Sequence, residues 1–212
     1  MKKLFAVKDK HLFWKRTLIC FAGVFRMGFF LSFLIMAGLG TDPCTFMNLS
    51  ISSKLGLSLG NWQLMLNIIL LILVILIDRR LIGLGTLFNM ILIGYYADFF
   101  CWLWRKLLPE TVFTEMPVKA IVYGITLIGF IVSAAVYMTS RSGISPYDGL
   151  AKIVADRLPL PFFLSRILYD FAAIGIGMLV GGVPSIGHIL MAAGLGPVIS
   201  IIGKKMAKIV GE

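Results

Sequence analysis

Two short turns hold the most chemically suggestive residues of this 212-residue sequence. Gly40-Thr41-Asp42-Pro43 and Gly143-Ile144-Ser145-Pro146 share one order: glycine, spacer, short polar residue, proline. A short polar side chain before proline suits the start of a helix. Its oxygen accepts from an orphan N–H, and proline at the first helical position forfeits no hydrogen bond. If such a helix end faces a cavity, its free N–H groups and positive dipole end can hold an anionic group. Ser145 permits an anion there, whereas Asp42 opposes one. Asn48 and Asp148 belong to the helices these turns would start. A purely structural reading, a glycine break followed by a capped helix, stands beside the binding reading.

Ionisable and amide groups inside apolar runs come next. Asp170 sits in such a run, where a carboxylate costs ~2.5–3.5 kcal/mol on insertion scales and normally faces protein or water. Arg166 precedes it by four residues, the spacing at which two helical side chains pair. The two form either a structural ion pair or part of a protonation or substrate site. Arg26 interrupts an apolar run near its middle, where snorkelling to the interface is hard. It is expected to face the helix bundle, pairing with Asp98, Asp148 or Asp170 or holding an anionic ligand. Asn67 and Asn89 are candidate polar contacts within long spans, and Asn89 could equally bridge two helices. His188 can cap, relay protons or bind a metal. The other histidine, His11, lies in the basic N-terminal segment, so no metal site is expected.

These residues need elements to position them. Six apolar segments have lengths near the roughly 17–25 residues of a membrane crossing: 17–38, 61–77, 85–104, 118–138, 162–180 and 185–202. Segments 42–57 and 145–158 are amphipathic and too polar to span, and they read as short interfacial or re-entrant helices. The two turns are 103 residues apart, and Asn67 meets Asp170 at the same offset. One deletion later, Leu84-Gly85-Thr86 meets Ile186-Gly187-His188. Internal likeness decides architecture. The fold class is therefore read as an all-α polytopic membrane protein, with six transmembrane helices in two inverted three-helix repeats. Each repeat carries one extra short helix. The repeats cover 17–104 and 118–203 of a single membrane domain, after a basic segment 1–16. An odd number of spans per repeat turns the second upside down, a plan common in transporters, with the site near the repeat interface.

Charge supports a topology. With the N-terminus inside, fourteen Lys and Arg fall on cytoplasmic flanks and four on outer flanks, which places both termini in the cytoplasm. Trp62, Trp102 and Trp104 then fall at the outer interface. A hydrophobic content of 59% and a mean hydropathy of +0.95 leave no soluble domain. The net charge of +10 is a topology signal, and no nucleic-acid partner is expected. The apolar run after residue 16 is too long for a cleavable signal peptide. Cys20, Cys44 and Cys101 show no metal spacing and are expected as free thiols, with a Cys44–Cys101 bridge as the alternative. No zincin, nucleophile-elbow or P-loop motif occurs, so neither an enzyme nor a cofactor is expected.

The stretch Ala37-Gly38-Leu39-Gly40-Thr41-Asp42-Pro43, then Leu57-Ser58-Leu59-Gly60, then Ile82-Gly83-Leu84-Gly85-Thr86 with Asn89, resembles the bacterial YczE/YyaS/YitT-type membrane proteins. Gly143-Ile144-Ser145-Pro146-Tyr147-Asp148 is similar to that family's glycine–serine–proline–aromatic–aspartate turn. Cys44 departs from it, standing where an aromatic residue commonly follows the proline. The resemblance covers nearly all of the chain after Arg16. It implies a protein of the bacterial cytoplasmic (inner) membrane and a role in transport, without a substrate. The expected function is a small secondary transporter or permease for a small molecule or ion. Its substrate groups would come from Arg26, Asp42, Asn48, Asn67, Asn89, Ser145, Asp148, Asp170 and His188. The lipid bilayer is a partner, and a homo-oligomer is compatible. A substrate-capturing subunit of a larger transporter and a non-transporting scaffold or sensor are the alternatives.

Overall fold

The computed structural model describes residues 10–157, 162–194, 197–198 and 201. Among these the chain is helical: α1 (Lys10–Ala37), α2 (Pro43–Leu55), α3 (Leu59–Asp78), α4 (Leu84–Leu107), α5 (Thr111–Thr114), α6 (Met116–Thr139), α7 (Pro146–Arg157) and α8 (Phe162–Leu179). A single 3-10 turn, Arg79–Leu81, closes α3. Residues 186–194 are helical too, and much of the expected sixth segment beyond them lies outside the described residues. The same is true of the basic stretches 1–9 and 202–212. Four helical stretches are long and apolar enough to cross a membrane: α1, Leu59–Leu81, α4 and α6. This makes the chain a multi-pass membrane protein. Of the six crossings expected, four therefore stand on length and composition among the described residues. The small helix α5, between the third and fourth expected spans, was not foreseen.

Both short helices start as their turns dictate. Asp42 caps α2, its Oδ2 accepting from the Thr45 N–H at 3.0 Å, with Pro43 behind it. Ser145 caps α7, its Oγ accepting from the Asp148 N–H at 3.0 Å. The α2 helix stops at Gly56, which takes a left-handed φ of +67° that a side chain would resist. At α3, Ser58 accepts from the Asn61 N–H. Asp98 on α4 accepts from the Gly60 N–H at 2.7 Å. A free N–H of the first turn of α3 thus claims Asp98, one of the partners expected for Arg26.

Packing crosses between the two halves of the chain. The α1 helix lies against α4 and α6, α3 against α4 and α7, and α2 against α8. Val24, Leu31 and Leu34 of α1 meet Ile93 and Ala97 of α4 and Ala134 and Tyr137 of α6 in one buried cluster. Outward, Ile121, Ile125 and Ile128 form a stripe at helical spacing, each 64–65% exposed. That stripe is suited to lipid.

Two close backbone approaches tie the halves together. Gly40 (φ +133°) lies on Gly187, where an added Cβ would come within 2.7 Å of the Gly187 backbone. Gly143 (φ +100°) lies on Gly83, where a Cβ would come within 2.7 Å of the Gly83 Cα. The Gly85 N–H donates to the Ser142 carbonyl at 2.6 Å, and the Ile144 N–H donates to the Leu81 carbonyl at 3.1 Å. On the other side, the Ser185 hydroxyl donates to the Leu39 carbonyl. Helix starts match as well: the Gly83 N–H donates to Thr86 Oγ1 at 3.0 Å, and the Ser185 N–H donates to His188 Nδ1 at 2.8 Å.

Candidate functional site

A small cavity of about 60 Å³ lies where the two proline turns meet the long helices. One water needs about 10–15 Å³ by this measure, so the space suits a few waters or one small solute. Its wall draws on α1, α2, α3, α4, α6, α7 and α8. Five pairs of wall residues stand at the 103-residue offset: Met27 with Phe130, Asp42 with Ser145, Cys44 with Tyr147, Thr45 with Asp148, and Gln63 with Arg166. Asn89 and Tyr137 complete its polar lining.

One side is a closed network. Arg166 donates through Nε to Asp170 Oδ2 at 2.9 Å and through Nη1 to Asp148 Oδ1. Asp148 Oδ2 accepts from the Ser145 hydroxyl at 2.6 Å, and Asp170 Oδ1 accepts from the Tyr147 hydroxyl at 3.0 Å. The Tyr147 ring also lies beneath the guanidinium, 5.6 Å from its centroid. All four carboxylate oxygens are thus bonded, as charges withdrawn from water require. Asp170 is fully buried and sits behind Arg166. Arg166 faces the cavity, and Asp170 holds it there.

The other side is unsatisfied. Asp42 Oδ1, Gln63 Oε1 and the Tyr137 hydroxyl are buried without a hydrogen-bond partner. The Tyr137 hydroxyl comes near the Ser145 N–H without a well-aligned bond. Gln63 is 7% exposed and Tyr137 1%. Buried polar atoms are nearly always paired, so three residues of one small cavity's wall that each carry an unpaired oxygen are notable.

The structure brings Asp42, Asn89, Ser145 and Asp148 to the cavity wall, with Asp170 directly behind it. It does not bring the other four. Asn48 is buried but spent: its Oδ1 accepts from the Trp62 indole N–H at 3.0 Å, and its amide donates to Cys44 Sγ at 3.4 Å. Asn67 is buried away from the cavity wall. His188 caps its own helix start and packs on Phe46, with ring centroids 4.4 Å apart. Arg26 is exposed on the outer face of α1, which overturns the expectation that it faces the bundle. The reason is register. Buried positions of α1 run through Cys20, Val24, Met27 and Leu31, and residue 26 falls outside that stripe, beside exposed Phe25. Cys44 and Cys101 are free thiols. Among the described residues no three His, Cys, Asp or Glu side chains group to hold a metal ion. Gln63, Tyr137, Cys44, Thr45 and Tyr147 were missed as wall residues. For all but Tyr137, the signal is the 103-residue offset applied beyond the turns and the Asn67–Asp170 pair.

A model of a family described as being of unknown function, DUF6198, matches residues 14–204. The chain is 28% identical over 172 residues to "Uncharacterized protein YyaS" of Bacillus subtilis, covering 79% of this chain and 82% of that protein. It is 29% identical over 178 residues to an uncharacterized protein of Haemophilus influenzae, covering 83% and 78%. It is 28% identical over 138 residues to "Uncharacterized membrane protein YczE" of Bacillus subtilis, covering 65% and 61%. No solved structure matches.

Proposed function

The chain belongs to DUF6198, a YczE/YyaS-type family of unknown function, and from that premise we propose that it is a small secondary transporter or permease. Its solute site is the cavity between the two proline turns. The two halves act as inverted repeats in the bacterial cytoplasmic membrane, both termini inside, and the protein moves a solute without covalent chemistry. The observation that carries the reading is the composition of the wall: five position pairs, one member from each half, converge on one cavity. Transporters built from inverted repeats bind at such an interface, with short or broken helices ending at the site. The capped starts of α2 and α7 both end here.

The packing supports the same symmetry. The α2–α8 and α3–α7 contacts exchange into one another at the 103-residue offset, as do the Gly40–Gly187 and Gly143–Gly83 approaches within two residues. The test is uptake into proteoliposomes across a panel of small charged and neutral solutes. Flux of one solute class is expected, reduced at least tenfold in Gln63→Ala and Asp148→Asn and unchanged in Arg26→Gln. Equal flux in Gln63→Ala, Asp148→Asn and the unmodified protein would remove the cavity from the pathway.

A further inference from the structure

The cavity is rich in carboxyl groups although two helix N-termini meet at it. Both turns suggest anion binding, because helix N-termini are positive. In this protein each of those ends already has a carboxylate of its own: Asp42 at α2, and Asp148 in the first turn of α7. Arg166, the one guanidinium on the wall, is bonded to two carboxylates. Asp42 adds a third carboxyl group at the cavity, one that burial pushes toward its neutral form unless a cation meets it. Three carboxyl groups stand against one guanidinium.

The unpartnered atoms agree with the charge. Asp42 uses only Oδ2 for its cap, so Oδ1 remains free for another donor or a cation. Gln63 Oε1 is likewise free and buried, and the buried Tyr137 oxygen has only the poorly aligned Ser145 N–H near it. A carboxylate, an amide and a phenol oxygen are hard acceptors, the set that suits alkali ions and ammonium groups. The ring of Phe130 lies on the same wall and offers a cation an aromatic surface. The small volume excludes bulky amines.

We propose that the cavity is a binding site for a small monovalent cation, an alkali ion or a primary ammonium group, held by Asp42 Oδ1, Gln63 Oε1 and the Tyr137 hydroxyl. The assignment deepens the transport reading of the same cavity and rests on it for the direction of solute movement, but not for binding.

The test is equilibrium binding to the purified full chain in detergent, read by thermal shift and by calorimetry. Chloride salts of sodium, potassium, ammonium and methylammonium are compared with N-methylglucamine chloride, which is too large for the space. At least one small cation is expected to raise the melting temperature saturably, where N-methylglucamine does not. Response to sodium or potassium alone identifies an alkali site. Response to ammonium and methylammonium identifies an amine head group. Asp42→Asn keeps a capping oxygen while removing the charge, and it is expected to weaken binding at least tenfold with the fold retained. Tyr137→Phe is the second variant, with a smaller loss of several-fold. No saturable response to any of the four salts, or equal responses in the unmodified protein and in both variants, overturns the proposal. Cation binding without flux in proteoliposomes leaves the site standing and defeats only the transport reading. Flux without cation binding does the reverse.

Discussion

At the scale of single residues, the network on one side of the cavity depends on Arg166. It bonds two carboxylates, and Asp170 is wholly buried. Removing one member of such a buried pair leaves an uncompensated charge, a loss of ~3–5 kcal/mol. Arg166→Met and Asp170→Leu are each expected to lower thermal stability in detergent by that order. The double variant should lose clearly less than the two losses together, because Asp170 is then no longer stranded and only Asp148 is left without its guanidinium. Additive losses in a double-mutant cycle would show that the pair is not coupled. Arg26 contrasts with it. It lies on the outer face of α1, and Arg26→Gln should leave both stability and the cavity unchanged. Sequence alone exposed the Arg166–Asp170 pair, because spacing of four on a helix is a local fact. It misplaced Arg26, because the outward face of a helix apolar all round is set by its neighbours and not by its own pattern.

At the scale of elements, the caps and the close approaches set the geometry. Asp42→Ala removes the α2 cap and is expected to cost about 1 kcal/mol, whereas Asp42→Asn should be nearly neutral in stability. Melting temperatures of the two variants decide this. A second comparison uses size. Phe46 of α2 packs on Gly177 of α8, where a Cβ would meet its ring at 2.6 Å. At positions 103 residues along each chain segment, Gly149 of α7 packs on Val74 of α3, with a Cβ 3.4 Å from the valine. Large and small have changed places between two equivalent contacts. Gly177→Ala overpacks its contact and should destabilise by roughly 1–3 kcal/mol, while Gly149→Ala should be tolerated within about 0.5 kcal/mol. Gly143→Ala should be worse than either, since it meets both the Gly83 backbone and a φ of +100°. Proline and a preceding polar residue make the short helices legible from sequence alone. The pairing of Gly83 with Gly143 was not legible, because a close approach is a relation between distant segments, whereas glycine composition alone is ambiguous.

At the scale of the molecule, hydropathy and the positive-inside bias led to a multi-pass helical protein, and four spans among the described residues carry it. The 103-residue offset carries further than its most polar pairs. Read only at those, it gives Asp42, Asn67, Ser145 and Asp170. Read at every position, it also finds Gln63 against Arg166 and Cys44 against Tyr147, which line the cavity. Which of these side chains were left unpaired could not be read from spacing, because pairing depends on distances of a few tenths of an ångström. The expected topology is open to a direct check. Reporter fusions at both termini and after Arg79 should read cytoplasmic, and fusions after Lys54 and Lys106 should read external. An external reading after Arg79 would break the predicted inversion.

The crossed packing also sets a timetable for biosynthesis. The α2 helix, with Phe46 and Met47, rests on α8, some 130 residues later in the chain. At ~5–20 residues per second, the ribosome makes α2 on the order of ten seconds before the surface that shelters it. During that interval Phe46 and Met47 lack the α8 neighbours that cover them. The nascent chain is therefore most exposed to chaperones and membrane proteases midway through synthesis, and a chain halted before Phe162 should be cleared rather than stored.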